Sequence, residues 1–162
     1  MSGLLVYRTP VHADWIDYNG HLRDAYYAVA VSLGLDALMD QVGLDEAYRT
    51  QTHCTLYSVE MHLHWLQEVK APAELELYAH VLDVDSKRLQ VGMDIKVKGL
   101  DHVAASAETM LVHVSQHPSV KTTAFPEAIR TQLERLKLQS PDAWQSPRSR
   151  PLAILRKTST PA

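Results

Sequence analysis

Asp14-Trp15-Ile16-Asp17-Tyr18-Asn19-Gly20-His21-Leu22-Arg23-Asp24-Ala25-Tyr26-Tyr27 opens as a polar turn and runs on into a long helical stretch without proline. Asn19-Gly20 favours a tight turn, because both residues tolerate positive φ. Beyond it Ala25, Val29, Leu33, Ala37 and Leu38 recur at helical spacing, and Ala28, Ala30 and Val31 widen the apolar surface. A helix apolar on most of its circumference belongs inside a protein. The stretch therefore predicts a carboxylate, Asp17, on a loop beside the N-terminus of a buried helix. The first turn of a helix carries unpaired N–H groups and a partial positive charge, which suit a developing oxyanion. A carboxylate beside them can attack an acyl carbon or activate water. Capping aspartates are common, so spacing alone favours Asp17 as a turn or helix cap, and at this point both readings stand.

Working outward, the helix is expected over about Arg23 to Gln41, preceded by a strand over Leu4 to Val11 and followed by a short helical turn over Asp45 to Arg49. From Cys54 the hydrophobic period changes to two. Thr55, Tyr57, Val59, Met61, Leu63 and Trp65 form the more apolar parity and are expected to face the core. Further alternating runs cover Glu74 to Val84, Arg88 to Lys98 and Val103 to Gln116, so a four-strand meander is expected after the helix. Pro118 to Thr123 reads as a polar linker and Pro126 to Leu138 as an amphipathic helix. One domain over residues 1–140 is expected, with 141–162 a tail that orders only by docking on a neighbour. The class is α+β, a curved antiparallel sheet wrapped around one central helix. One sheet face cannot cover such a helix all round, so a second copy of the chain is expected against it.

The composition narrows the function. A length of 162 residues with 46% hydrophobic and 22% charged residues describes an ordinary globular domain. The net charge of -3 argues against a broad nucleic-acid surface. Cys54 is the only cysteine, which excludes an intrachain disulfide and suits a reducing cytoplasm. No apolar run reaches membrane-spanning length.

Asp17-Tyr18-Asn19-Gly20-His21, with Tyr27 and the helix after it, resembles the signature loop of hot-dog fold thioesterases of the hydroxybenzoyl-CoA thioesterase type. The resemblance extends from the first strand to about Gln116. Within that family, Tyr57 to Ala71, Val81 to Leu89 and Ala107 to Val114 look closest to the betainyl-CoA thioesterases of carnitine breakdown. The resemblance implies hydrolysis of a short polar acyl-CoA, betainyl-CoA the best match, with no cofactor or metal; the uncovered helix makes a homodimer or homotetramer the expected assembly. By position Asp17 matches the family's catalytic carboxylate, and the Asp24 backbone N–H matches the group that polarises the thioester carbonyl. Gly20 would let the loop approach the substrate closely. Leu22-Arg23-Asp24 departs from the Val-Asn-Asn of many relatives, placing an acidic side chain where an oxyanion would form. A hot-dog dehydratase or hydratase, and a non-catalytic acyl-CoA-binding module, are the alternatives.

His21, beside the turn, is a candidate for ordering the loop or a water. A quaternary ammonium acyl group has no hydrogen to donate, so aromatic faces and a carboxylate must recognise it. Trp15, Tyr18, Tyr26, Tyr57 and Trp65 supply candidate rings, and Glu60 and Asp24 candidate charges. His62 and His64 share a strand face, but no third ligand accompanies them, and no metal is expected. Lys87-Arg88, Lys70 and Arg49 are candidates for the CoA phosphates, although a solvated turn accounts equally well for Lys87-Arg88. There is no Gly-x-Ser-x-Gly elbow and no phosphate-binding glycine loop.

Overall fold

The computed structural model describes residues 3–140 together with 144, 153 and 154. Strand β1 (Leu4–Pro10) leads through a short 3-10 turn (Ala13–Trp15) to helix α1 (Asp24–Gln41) and helix α2 (Glu46–Thr52). Four long strands follow: β2 (Cys54–Trp65), β3 (Glu74–Val84), β4 (Arg88–Val97) and β5 (Val103–Ser115). A two-residue strand β6 (Lys121–Thr122) and helix α3 (Glu127–Gln139) complete the described elements.

The sheet is antiparallel throughout, in the order β1-β3-β4-β5-β2, with β6 paired to β5. Only β3, β4 and β5 therefore form a meander. The expected four-strand meander is corrected: β2 pairs with β5 rather than with the β3 that follows it. The cause is the helix. With α1 packed across one face, β1 occupies the edge beside β3 and leaves β2 the opposite edge. The connection 66–73 must then carry the chain from that edge back across the sheet. The polar segment at Pro118 to Thr123, expected as a linker, contains β6, which pairs Val114 with Thr122.

Alternation explains the core. Leu75, Leu77, Val91, Met93, Ile95 and Ala107 are almost completely buried and point at α1, each full-size side chain contributing about 1.5–3 kcal/mol by leaving water. From the helix, Tyr27, Ala30, Val31, Gly34, Leu35 and Leu38 meet them. Gly34 is where helix and sheet come closest, since a Cβ there would stand 2.8 Å from the Leu77 side chain. The opposite flank of α1 remains open, with Ser32 and Asp36 exposed and Val29 at 40%. Helix α3 lies on β3 and buries Ile129 and Leu133, and its Lys137 Nζ donates to Asp83 Oδ1 at 2.7 Å.

The expected parity of β2 holds only in its second half. A bulge between Ser58 and Glu60 shifts the register, so Met61, Leu63 and Trp65 share the helix-facing side with Leu56 and Ser58, while Tyr57 and Glu60 turn outward opposite Val112 and Met110. The outer face is more polar but largely covered. His80, Gln90, Ser106 and Glu108 are buried on it, and Asp94 ties three groups together. Its Oδ1 accepts from Ser106 Oγ (2.8 Å) and Trp144 Nε1 (3.1 Å), and its Oδ2 lies 3.1 Å from His80 Nε2. The Trp144 ring rests over Gly92, where a Cβ would meet the indole at 2.7 Å, and buried Ile154 packs with Met110. Within the expected tail, these described residues therefore dock on the chain's own sheet rather than on a neighbour. The rest of 141–162 lies outside the described residues. No single helix among the described residues is long and apolar enough to cross a membrane.

Candidate active site

The Asp14–His21 stretch folds into the expected turn. The Asp17 N–H donates to the His21 carbonyl (2.8 Å) and the Gly20 N–H to the Asp17 carbonyl (3.1 Å), with Gly20 at φ +79. That left-handed conformation suits glycine. The Asp17 side chain closes the turn through one oxygen only: Oδ1 accepts the N–H of Asn19 (2.8 Å) and of His21 (3.0 Å). Among the described residues Oδ2 has no partner. The two readings left open by spacing are thus both present in one side chain, a turn cap on Oδ1 and a free carboxylate oxygen beside it. The carboxyl is held below its ordinary value, chiefly by the His21 N–H; slight desolvation opposes this, and the Asn19 N–H and the charges of His21 and Arg23 reinforce it. Asp17 is therefore ionised across the neutral range.

The turn is fastened to the 66–73 connection. The Leu22 N–H donates to the Val69 carbonyl (2.7 Å), and His21 and Lys70 form a β-bridge. Residues 66–70 thus lie as a strap across the start of α1, something β2 can provide only because it sits at the far edge of the sheet. On this strap Glu68 places Oε2 3.1 Å from His21 Nε2 and Oε1 3.2 Å from Lys70 Nζ.

The start of α1 offers a single unclaimed donor. The Arg23 N–H goes to the Trp15 carbonyl (2.9 Å), the Ala25 N–H to the Asp24 carboxylate (2.8 Å) and the Tyr26 N–H to the Arg23 carbonyl (3.0 Å). Arg23, at the N-cap, provides no side-chain cap, and among the described residues the Asp24 N–H has no partner. The acidic side chain that stood out in the sequence is occupied with Ala25, one residue beyond that N–H. Trp65 Nε1 donates to the Asp24 carbonyl (3.3 Å), which pins the edge of the indole to the helix start.

These segments enclose a cleft of about 570 Å³, lined by Asp17, Tyr18 and His21 from the turn, Arg23, Asp24 and Tyr27 from the helix, and Trp65 to Glu68 from the strap. Three carboxylates face one guanidinium there. Tyr27 is buried, which raises its phenol and keeps it protonated. Tyr18 is 94% exposed and Trp65 53%, leaving ring faces open to the cleft.

Of the residues singled out from sequence, Asp17, Gly20, His21, Asp24, Tyr18 and Trp65 come together at this place. Trp15 and Tyr26 do not line it: they stack on each other at 5.4 Å beneath the turn, with Trp15 buried. Tyr57 and Glu60 do not line it either: the β2 bulge turns Tyr57 to the outer face, and Glu60 lies there by its alternation with Met61. There Tyr57 Oη accepts from Gln116 (3.0 Å), and Glu60 meets His62 Nε2 (3.2 Å). Lys87-Arg88 is a turn held by Asp85, with Arg88 donating to Asp85 Oδ2 at 2.8 and 2.6 Å. Arg49 donates to the Leu44 carbonyl at 2.7 Å. Among the described residues no group of three or more His, Cys, Asp or Glu side chains is placed to hold a metal. Glu68 is the charged strap residue of the cleft that sequence reading missed, and Arg23, Leu66 and Gln67 line it unforeseen as well. Only its position two residues before Lys70, within a segment similar to a known family, distinguished Glu68.

The family model described as the thioesterase-like superfamily matches residues 11–133. A betainyl-CoA thioesterase of Pseudomonas aeruginosa is 43% identical over 112 residues, 69% of this chain and 70% of that protein. A crystal structure of a candidate thioesterase from Pseudomonas putida KT2440 is 35% identical, with a TM-score of 0.74, and the match covers 100% of this chain and 99% of that one. A Staphylococcus aureus protein solved in complex with CoA is 25% identical, with a TM-score of 0.82 over 96% of this chain and 98% of its own.

Proposed function

This chain belongs to the thioesterase-like superfamily and is an acyl-CoA thioester hydrolase with the hot-dog fold; from that premise we propose that its substrate is betainyl-CoA, cleaved to betaine and CoA. In this reading the thioester carbonyl oxygen points at the Asp24 N–H, and the carbonyl carbon faces Asp17 Oδ2. Addition at carbon gathers negative charge on that oxygen, where a hydrogen-bond donor and the positive end of the helix dipole stabilise it. Asp17 acts either by taking a proton from the attacking water or by attacking carbon itself to form an anhydride that water then opens. In both routes the C–S bond breaks, the sulfur leaves with the electron pair and is protonated, and acid and CoA result. Asp17 tied through Oδ1 alone, in the same cleft as an unclaimed Asp24 N–H, is the observation that supports these roles most.

His21 is assigned to ordering the turn, since its backbone closes the turn on both sides and its ring meets Glu68. Gly20 keeps the approach to the cleft open. Trp65 and Tyr18 are the rings assigned to the acyl group. We further read the assembly as a homodimer or homotetramer, because β2 is a twelve-residue edge strand and its bulge residue Val59 is 60% exposed. We place the protein in the cytoplasm, where CoA thioesters and a lone thiol such as Cys54 both belong.

Following free thiol release tests the reaction. Turnover of betainyl-CoA is expected to exceed that of neutral acyl-CoAs of similar size. Folded protein that releases thiol from none of them overturns the reading.

A further inference from the structure

Building on the proposed quaternary-ammonium acyl group, we propose that Glu68 determines selectivity, its carboxylate drawing the trimethylammonium end of the substrate against the exposed face of Trp65. The argument starts from what such a group requires. A tetraalkylammonium cannot donate a hydrogen bond, so it is held by ring faces and by the field of an anion. The cleft contains three anions, and two stand at the proposed reacting carbonyl. Asp17 holds the turn with Oδ1 and presents Oδ2 to the reacting carbon, while Asp24 is bound to the Ala25 N–H at the helix start.

Glu68 is the third. It stands on the strap near Trp65, whose indole edge is fixed by the Asp24 carbonyl and whose ring is 53% exposed. The Glu68 side chain is 60% exposed yet positioned, because His21 Nε2 and Lys70 Nζ each hold one of its oxygens. An ammonium that needs field rather than hydrogen bonds displaces neither contact. The main-chain bond from Leu22 to Val69 fixes the distance between this carboxylate and the turn that carries Asp17. The same strap thus relates the acyl terminus to the reacting carbonyl.

The test compares betainyl-CoA with 3,3-dimethylbutanoyl-CoA, its neutral isostere with carbon in place of nitrogen. In the unmodified protein kcat/KM is expected to favour betainyl-CoA by at least tenfold. Glu68→Gln, which preserves the shape of the side chain, is expected to lower that preference about tenfold, mainly through KM. Glu68→Lys is expected to invert it. Equal losses on both substrates in Glu68→Gln would overturn the proposal, because Glu68 would then act only by positioning the turn. An unmodified protein that prefers betainyl-CoA and a Glu68→Gln variant that keeps the full preference would overturn it as well, leaving the substrate reading intact. An unmodified protein that prefers the isostere would overturn both.

Discussion

Asp17 and Asp94 are built from the same parts and end in opposite states. Each is an aspartate whose Oδ1 accepts two hydrogen bonds and which has a histidine close by. At Asp94 the histidine fills Oδ2, the donors are side chains, and a tryptophan covers the site. Burial opposes ionisation there, but the donors His80, Ser106 and Trp144 outweigh it, and the carboxyl is held below its ordinary value. At Asp17 the donors are main-chain N–H groups of its own turn, and the second oxygen faces an open cleft. A carboxylate with both oxygens engaged in a covered site holds a structure together, whereas one with an oxygen open to a cleft can act on a substrate. Histidine beside aspartate says little in itself; what is left unbonded decides.

The comparison breaks most sharply at Asp17. Asp17→Asn keeps an acceptor for the Asn19 and His21 N–H groups of the turn but loses the basic oxygen, so kcat should fall by roughly 10²–10⁴-fold with little change in melting temperature. Thiol-release kinetics alongside thermal unfolding check this, and a loss below tenfold would move the catalytic role elsewhere. Asp94→Ala is the converse. It leaves Ser106, Trp144 and His80 without their acceptor and should cost about 2–3 kcal/mol of stability by urea unfolding, while kcat/KM of the remaining folded protein stays within about twofold.

The acid response sharpens the same contrast. Both carboxyls lie below the ordinary aspartate value of about 3.9 in the folded protein. Asp94 therefore contributes stability that is fully present above that value and is lost as pH falls through its lower folded value. His113 adds a separate edge. It is buried against Tyr48 Oη (2.9 Å) and the Thr123 carbonyl (3.1 Å), and burial lowers its pKa against the weaker opposing effect of the Thr123 and Ala124 backbone. The unfolded chain takes up a proton there first, so stability should begin to decline as pH falls below about 6.5, well before either aspartate titrates. Denaturant midpoints measured from pH 8 to pH 4 check this. A midpoint that stays flat to pH 4.5, or an unchanged slope in His113→Gln, would break the assignment.

Much of this was legible in the sequence, and the omissions share one physical origin. Periodicity located α1 and every long strand, because each buries one face against the next layer and must repeat accordingly. The turn at Asn19-Gly20 and its carboxylate were equally local. Thr55 and Tyr57, expected to face the core, lie on the other side because one extra residue at Val59 inverts the alternation, and no rule of period two registers an insertion. Trp15 and Tyr26 have the composition of a cage and the position of a core stack. Glu68 and Trp144 escaped notice because each acquires its surroundings from a partner distant in the chain, Glu68 through the bond from Leu22 to Val69 and Trp144 through Asp94.

The strap over the start of α1 has a practical consequence. It meets the turn through main-chain atoms at Val69 and Lys70, which any residue except proline can reproduce at the bridging amide, whereas its side chains at 66–68 look into the cleft. Exchange of those side chains, with a partner for His21 kept at position 68, is thus a route to retargeting the enzyme toward other acyl groups with the hydrolytic apparatus carried over.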